Sequence, residues 1–163
     1  MSKRKKILIV SQSILIALTL WFIFKNSILS KQQSSEQSGS VFFAFQYIFD
    51  AIFGAGVITP SVFRKMAHAI EFALLGFQVY LLYYTLMGFK IKRLFEVLCL
   101  GLIVGIIDES IQILSNRGAQ VSDVWIDFGG YALGVGVSML SMFIVNFIIK
   151  KRRAKKKLSS KEE

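Results

Sequence analysis

Residues 94–114 read LFEVLCLGLIVGIIDESIQIL, an apolar run of about the ~20 residues that a helix needs to cross a hydrocarbon core roughly 30 Å thick. Comparable runs occupy 7–24, 66–87 and 123–149. With 54% hydrophobic residues in 163, the chain is too apolar for an ordinary soluble domain of this size. The expectation is an all-α polytopic membrane protein with four transmembrane helices. Residues 1–163 would form a single integral membrane domain ending in a basic cytoplasmic tail at 150–163. The first run follows Lys3, Arg4, Lys5 and Lys6 as a signal peptide would, but it is long and no small-residue cleavage site follows it directly. It is therefore expected to stay as an anchor.

The formal net charge of +10 is distributed by topology. Four basic residues precede the first run, Lys90, Lys92 and Arg93 separate the second from the third, and eight follow the fourth, fifteen of twenty in all. The positive-inside rule then puts both termini and the 88–93 loop in the cytoplasm, with 25–65 and 115–122 outside. The basic tail suits contact with anionic lipid. It has no interleaved aromatics, which argues against nucleic acid as a partner.

Residues 41–59, VFFAFQYIFDAIFGAGVIT, are apolar enough to be weighed as a fifth span. A fifth crossing would export eleven basic residues and place Gln46 and Asp50 in mid-membrane. An interfacial or re-entrant helix with its aromatics at headgroup depth is the better reading. Before it, 27–40 (SILSKQQSSEQSGS) is polar and Ser/Gln-rich, and reads as a flexible linker. The lone cysteine, Cys99, excludes an intrachain disulfide and reads as an apolar filler.

The ionisable residues of the spans gather at one leaflet. Arg64, Lys65, His68 and Glu71 open the second span, Asp108, Glu109 and Gln112 close the third, Arg117 lies in the outer loop, and Asp123 and Asp127 open the fourth. One spacing of four, three and four recurs in Arg64/His68/Glu71/Leu75, in Gly101/Gly105/Asp108/Gln112 and in Asp123/Asp127/Gly130/Gly134. Each set makes one helical stripe. Glycines at i, i+4 let backbones approach closely in lipid, so the third and fourth spans are expected to pack through Gly101, Gly105, Gly130 and Gly134. The polar ends would then meet in one pocket.

Five carboxylates in this set face at most four cationic partners, Arg64, Lys65, Arg117 and a protonated His68. Either some carboxyls stay protonated or a cation binds, because an unpaired buried charge costs several kcal/mol. Four readings stay open. The groups could clamp the helices together. A divalent cation (Zn, Mn, Mg or Ca) could be held by His68, Glu71, Asp108, Asp123 and Asp127. Acid/base chemistry on an envelope lipid could use His68, Glu71, Asp108, Glu109, Asp123 and Asp127. The pocket could instead bind a lipid headgroup or a lipoglycopeptide through Arg64, Lys65, Gln112 and Arg117, roofed by 41–60. A transporter fits poorly, since 81–86 and 135–148 hold no acidic or basic residue.

RKMAHAIEFALLG (64–76), DESIQ (108–112), Arg117 and SDVWIDFGGYALG (122–134) together resemble the VanZ-like membrane proteins of bacteria, over roughly residues 60–136. The resemblance implies a small multi-pass protein of the plasma membrane acting in the cell envelope. The founding member belongs to a glycopeptide-resistance gene cluster and lowers susceptibility to teicoplanin. It supplies a phenotype rather than a reaction. The spacing of Arg117, Asp123 and Asp127 also resembles the last motif of membrane lipid-phosphate phosphatases, with Asp123 where their catalytic histidine stands, and so without its nucleophile.

Overall fold

The computed structural model describes residues 2–116 and 120–159, which form five helices: α1 (Lys3–Ile28), α2 (Lys31–Phe53), α3 (Pro60–Met87), α4 (Lys92–Leu114) and α5 (Val121–Ser159). No strand occurs among the described residues. Four segments, Lys3–Ile28, Pro60–Met87, Arg93–Leu114 and Val121–Arg153, are long and apolar enough to span a bilayer. The protein is all-α and multi-pass.

Local signals start and stop these helices. Thr59 caps α3 by accepting from the Val62 amide, with Pro60 at the first helical position, where its missing N–H costs nothing. Gly88 ends the same helix with φ at +70°, a conformation that favours glycine. The polar stretch expected as a flexible linker is instead helical. Only Leu29 and Ser30 separate α1 from α2. Ser30 and Gln33 form a reciprocal capping box, and the serines that follow turn their hydroxyls onto the helix's own carbonyls, Ser38 to Ser34 at 2.7 Å and Ser40 to Glu36 at 2.9 Å. The extra helix expected at 41–59 accordingly begins ten residues earlier and stops at Phe53, where Gly54 (φ +96°) breaks it. Of its aromatics, Phe42 is buried and packs with Phe49 and Phe63 of α3, while Phe43, Phe45, Tyr47 and Phe53 face outward.

α1 runs antiparallel to α3 along a polar ladder. Gln12 donates to Thr85 (3.2 Å), Thr19 to Gln78 (3.0 Å) and Asn26 to Glu71 (3.4 Å). The rungs fall every seven residues on both helices, the repeat that keeps one seam facing its partner. In an apolar solvent such hydrogen bonds hold helices together where hydrophobic burial cannot.

α3 and α5 run parallel and make the closest backbone approach. A methyl added at Gly134 would lie 1.8 Å from the Ala73 carbonyl oxygen, and one at Gly130 2.2 Å from that of Ala69. The approach is reciprocal, since a methyl at Gly76 would lie 2.1 Å from the Tyr131 carbonyl oxygen. The Gly130/Gly134 stripe therefore meets α3 of the second span, rather than the third span as its spacing suggested. The third span meets α5 differently, with the Tyr131 ring filling the notch at Gly101. Glycine allows close approach but does not choose the partner. Small residues at 69, 73 and 76 on α3 make the complementary groove. Around this seam Ile23, Phe72, Leu75, Tyr80, Val97, Tyr131 and Val135 form the core. The N-termini of α3 and α5 and the C-termini of α1 and α4 thus share one end.

Candidate functional site

At that end, Asp108 on α4 is completely buried. The Ser27 hydroxyl lies 2.5 Å from its Oδ1 and the Gln112 amide donates to its Oδ2 at 2.8 Å. The Ser27 oxygen is also 3.1 Å from the Ile23 carbonyl, but one hydroxyl hydrogen serves one acceptor well, and the shorter contact belongs to the carboxylate. Two donors, one on each oxygen, fix the orientation of the Asp108 carboxyl. Gln112, expected to face a ligand, is turned onto Asp108 instead.

Two further buried carboxylates join it. Glu109 is the next residue on α4, and Asp127 reaches in from the second turn of α5 with 2% of its surface exposed. One oxygen from each of Asp108, Glu109 and Asp127 lies within 4.8 Å of the others. Gly105, one turn below Asp108, leaves ordinary contact space for the Asp127 side chain, a methyl there coming within 3.7 Å of its Cβ. Asp127 Oδ2 is buried with no hydrogen-bond partner. Glu71 of α3 stands close enough to Asp108 for the two to repel. Its Oε1 accepts from Asn26, and its Oε2 is buried without a hydrogen bond.

The other candidates lie around this centre. Asp123 sits at its edge, paired with Lys65 at 2.6 Å, both side chains about a third exposed (27% and 34%). Arg64 and His68 line a cleft of about 290 Å³ between α1, α2 and α3, with Asn26, Ser34, Gln37 and Glu71 among the other walls. Arg117 lies outside the described residues. Among the described residues, the group with metal-ligand spacing is Asp108, Glu109 and Asp127. Glu109 thus takes a place that the sequence reading gave to His68, Glu71 and Asp123. At the opposite end Glu96 accepts from Tyr83 at 2.8 Å and lies 3.6 Å from Arg93, a surface clamp.

Ser27 and Asn26 are the participants that the sequence reading missed. Both lie beyond the drop in hydropathy at Lys25 that closed the first apolar run, yet α1 continues through Ile28. The seven-residue spacing of Gln12, Thr19 and Asn26 was the available signal.

The Lys65–Asp123 pair yields a direct check. A double-mutant cycle on Lys65→Met and Asp123→Asn, read by thermal unfolding in detergent, is expected to give a coupling of about 0.2–1 kcal/mol, the range for partly exposed pairs. A coupling of several kcal/mol would move this pair into the buried centre.

Fold and site together define a multi-pass α-helical membrane protein with carboxylates buried between its spans at one end. The VanZ/LLP1 family model matches residues 13–145, and the chain belongs to that family. No curated protein and no solved structure matches it.

Proposed function

We propose that the protein works in the bacterial cell envelope as a plasma-membrane protein with both termini in the cytoplasm, holding the head of an amphiphile in a polar pocket open to the outside. The observation that carries this reading is the two-sided character of the α1–α2–α3 cleft. Arg64, His68, Asn26 and Gln37 offer charge and hydrogen bonds on one side, while Phe22, Leu29, Val41 and Phe63 offer an apolar wall. An acyl chain with a polar head satisfies both sides at once. Envelope lipids and lipoglycopeptides of the teicoplanin type share that chemistry.

The orientation is supported by the fifteen-to-five distribution of basic residues. Cysteines at Ser38 and Asn116 are expected to label in intact cells with an impermeant thiol reagent, and one at Lys90 is not. For the ligand, protein purified in mild detergent is expected to retain a lipid detectable by native mass spectrometry, or to bind teicoplanin directly. Arg64→Ala should weaken either by roughly tenfold or more, as loss of a charge-assisted contact of about 1.5–3 kcal/mol implies. Retention undiminished in Arg64→Ala and His68→Ala alike would remove the cleft from the reading.

A second reading, a membrane-embedded enzyme acting on a lipid phosphate or a lipid-linked cell-wall precursor, is supported by Glu71. That side chain lines the cleft and also stands beside Asp108, so a head bound in the cleft would meet the buried carboxylates there. Release of a headgroup from a bound lipid, measured by mass spectrometry over time, separates the two readings.

A further inference from the structure

Three carboxyl groups drawn to within 4.8 Å inside a bundle of apolar helices repel one another wherever they are ionised together, and a cation among them relieves that repulsion. Asp108 already receives Ser27 and Gln112, one donor on each oxygen. That arrangement is the one by which outer groups orient a metal-ligating carboxylate. Asp127 is the opposite case. Only 2% of its surface is exposed, its side chain belongs to the cluster, and its Oδ2 is buried with no hydrogen-bond partner. Such a group costs several kcal/mol in a membrane interior unless something other than a hydrogen bond meets it. The ammonium of Lys65 is committed to Asp123 at 2.6 Å.

From this geometry we infer that Asp108, Glu109 and Asp127 hold one hard divalent cation, Mg2+, Mn2+ or Ca2+, between α4 and α5. The donor set is all oxygen, which suits these ions, whereas zinc favours nitrogen and sulfur. Metal–oxygen bonds of about 2.0–2.6 Å place opposite ligands of one shell about 4–5 Å apart, and the three oxygens fall within that span. Glu71, whose Oε2 is buried without a hydrogen bond, lines the cleft outside this trio. An ion held by the trio would pin α4 to α5 where Gly105 leaves only ordinary contact with Asp127 and the Val124 carbonyl. The inference is independent of the amphiphile reading, which rests on the cleft residues.

The test uses the full chain in lipid nanodiscs after EDTA stripping, with Mn2+ as the probe and loss of the free-ion electron paramagnetic resonance signal as the readout. One saturable Mn2+ per chain is expected, displaced by Ca2+ or Mg2+. Asp127→Asn and Glu109→Gln should each weaken it by at least ~10-fold, and Ser27→Ala, which only orients Asp108, by about 10-fold. Glu96→Gln, at the far end of α4, removes a carboxylate without touching the cluster and should leave uptake unchanged. Should Asp127→Asn fail to fold, Glu109→Gln and the wild-type titration still decide. No saturable uptake by the wild type would overturn the site and assign the cluster to shared protons. Uptake undiminished in the cluster variants would overturn it as well.

Discussion

Gly134→Ala is expected to destabilise the bundle by about 2 kcal/mol, although alanine is the better helix former. The added methyl would lie 1.8 Å from the carbonyl oxygen of Ala73, 2.7 Å from its carbonyl carbon and 2.9 Å from its Cα. All three are backbone atoms of a neighbouring helix, so no side-chain rotation relieves the overlap. The helices must separate, and overpacking of this kind typically costs 1–3 kcal/mol, with a rigid obstacle placing it at about the upper end. The helix-propensity gain of roughly 1 kcal/mol opposes it only in part. Gly136, two residues on, is the control. A methyl there meets nothing within 4 Å, and Gly136→Ala should be neutral or stabilising by up to about 1 kcal/mol. Unfolding of both variants in mixed micelles measures the difference, and equal stabilities would mean that α3 and α5 are not in backbone contact.

That contrast marks where sequence reading succeeded and where it stopped. The four spans were legible because crossing a hydrocarbon core demands a length and a polarity that single residues cannot disguise. The gathering of Glu71, Asp108, Glu109, Asp123 and Asp127 toward one end was legible for a related reason, since alternate spans run in opposite directions and the positions within each run set the depth. Which helix faces which was not legible. Gly130 and Gly134 announce a close contact without naming the partner, and the alanines that receive them on α3 are too common to stand out. The same limit separated the cluster of Asp108, Glu109 and Asp127 from the Lys65–Asp123 pair at its edge. Hydropathy averaging also hid short neutral polar residues. Gln12, Thr19 and Asn26 each sit among or just after apolar neighbours, and only their pairing with Thr85, Gln78 and Glu71 reveals the ladder. The 31–40 segment failed for a different reason. Its composition is that of a linker, but a capping box starts the helix and buried Phe42, packed on Phe49 and on Phe63 of α3, ties down its far half.

Asp108→Asn is expected to leave a folded, inserted protein that has lost its function. The side chain is fully buried, so its replacement is judged first by hydrogen bonds. Asparagine keeps the shape and one acceptor oxygen for Ser27. Its amide nitrogen would face the Gln112 amide nitrogen, donor against donor, and a half-turn of the Gln112 amide restores the bond. Hydrogen bonds between transmembrane helices average roughly 0.6 kcal/mol and reach about 1.7 kcal/mol, so the fold should lose no more than about 1–2 kcal/mol. Asp108→Leu is different in kind, because it strands the buried Gln112 amide and leaves the Ser27 hydroxyl only the Ile23 carbonyl. The charge is what Asn cannot replace. If the cluster only clamps α1, α4 and α5, removing one of its like charges should leave activity intact or raise stability. If Asp108 holds a cation or moves a proton, the same change should abolish function beside normal helical content and normal membrane insertion. Cellular phenotype scored against a deletion strain, with teicoplanin susceptibility as the first readout, makes the comparison. The second outcome is the expected one, because Ser27 and Gln112 hold both oxygens of Asp108 in one orientation beside Glu109 and Asp127, as a ligating or proton-transferring carboxylate requires. Full activity in a folded Asp108→Asn protein would reduce the cluster to helix glue.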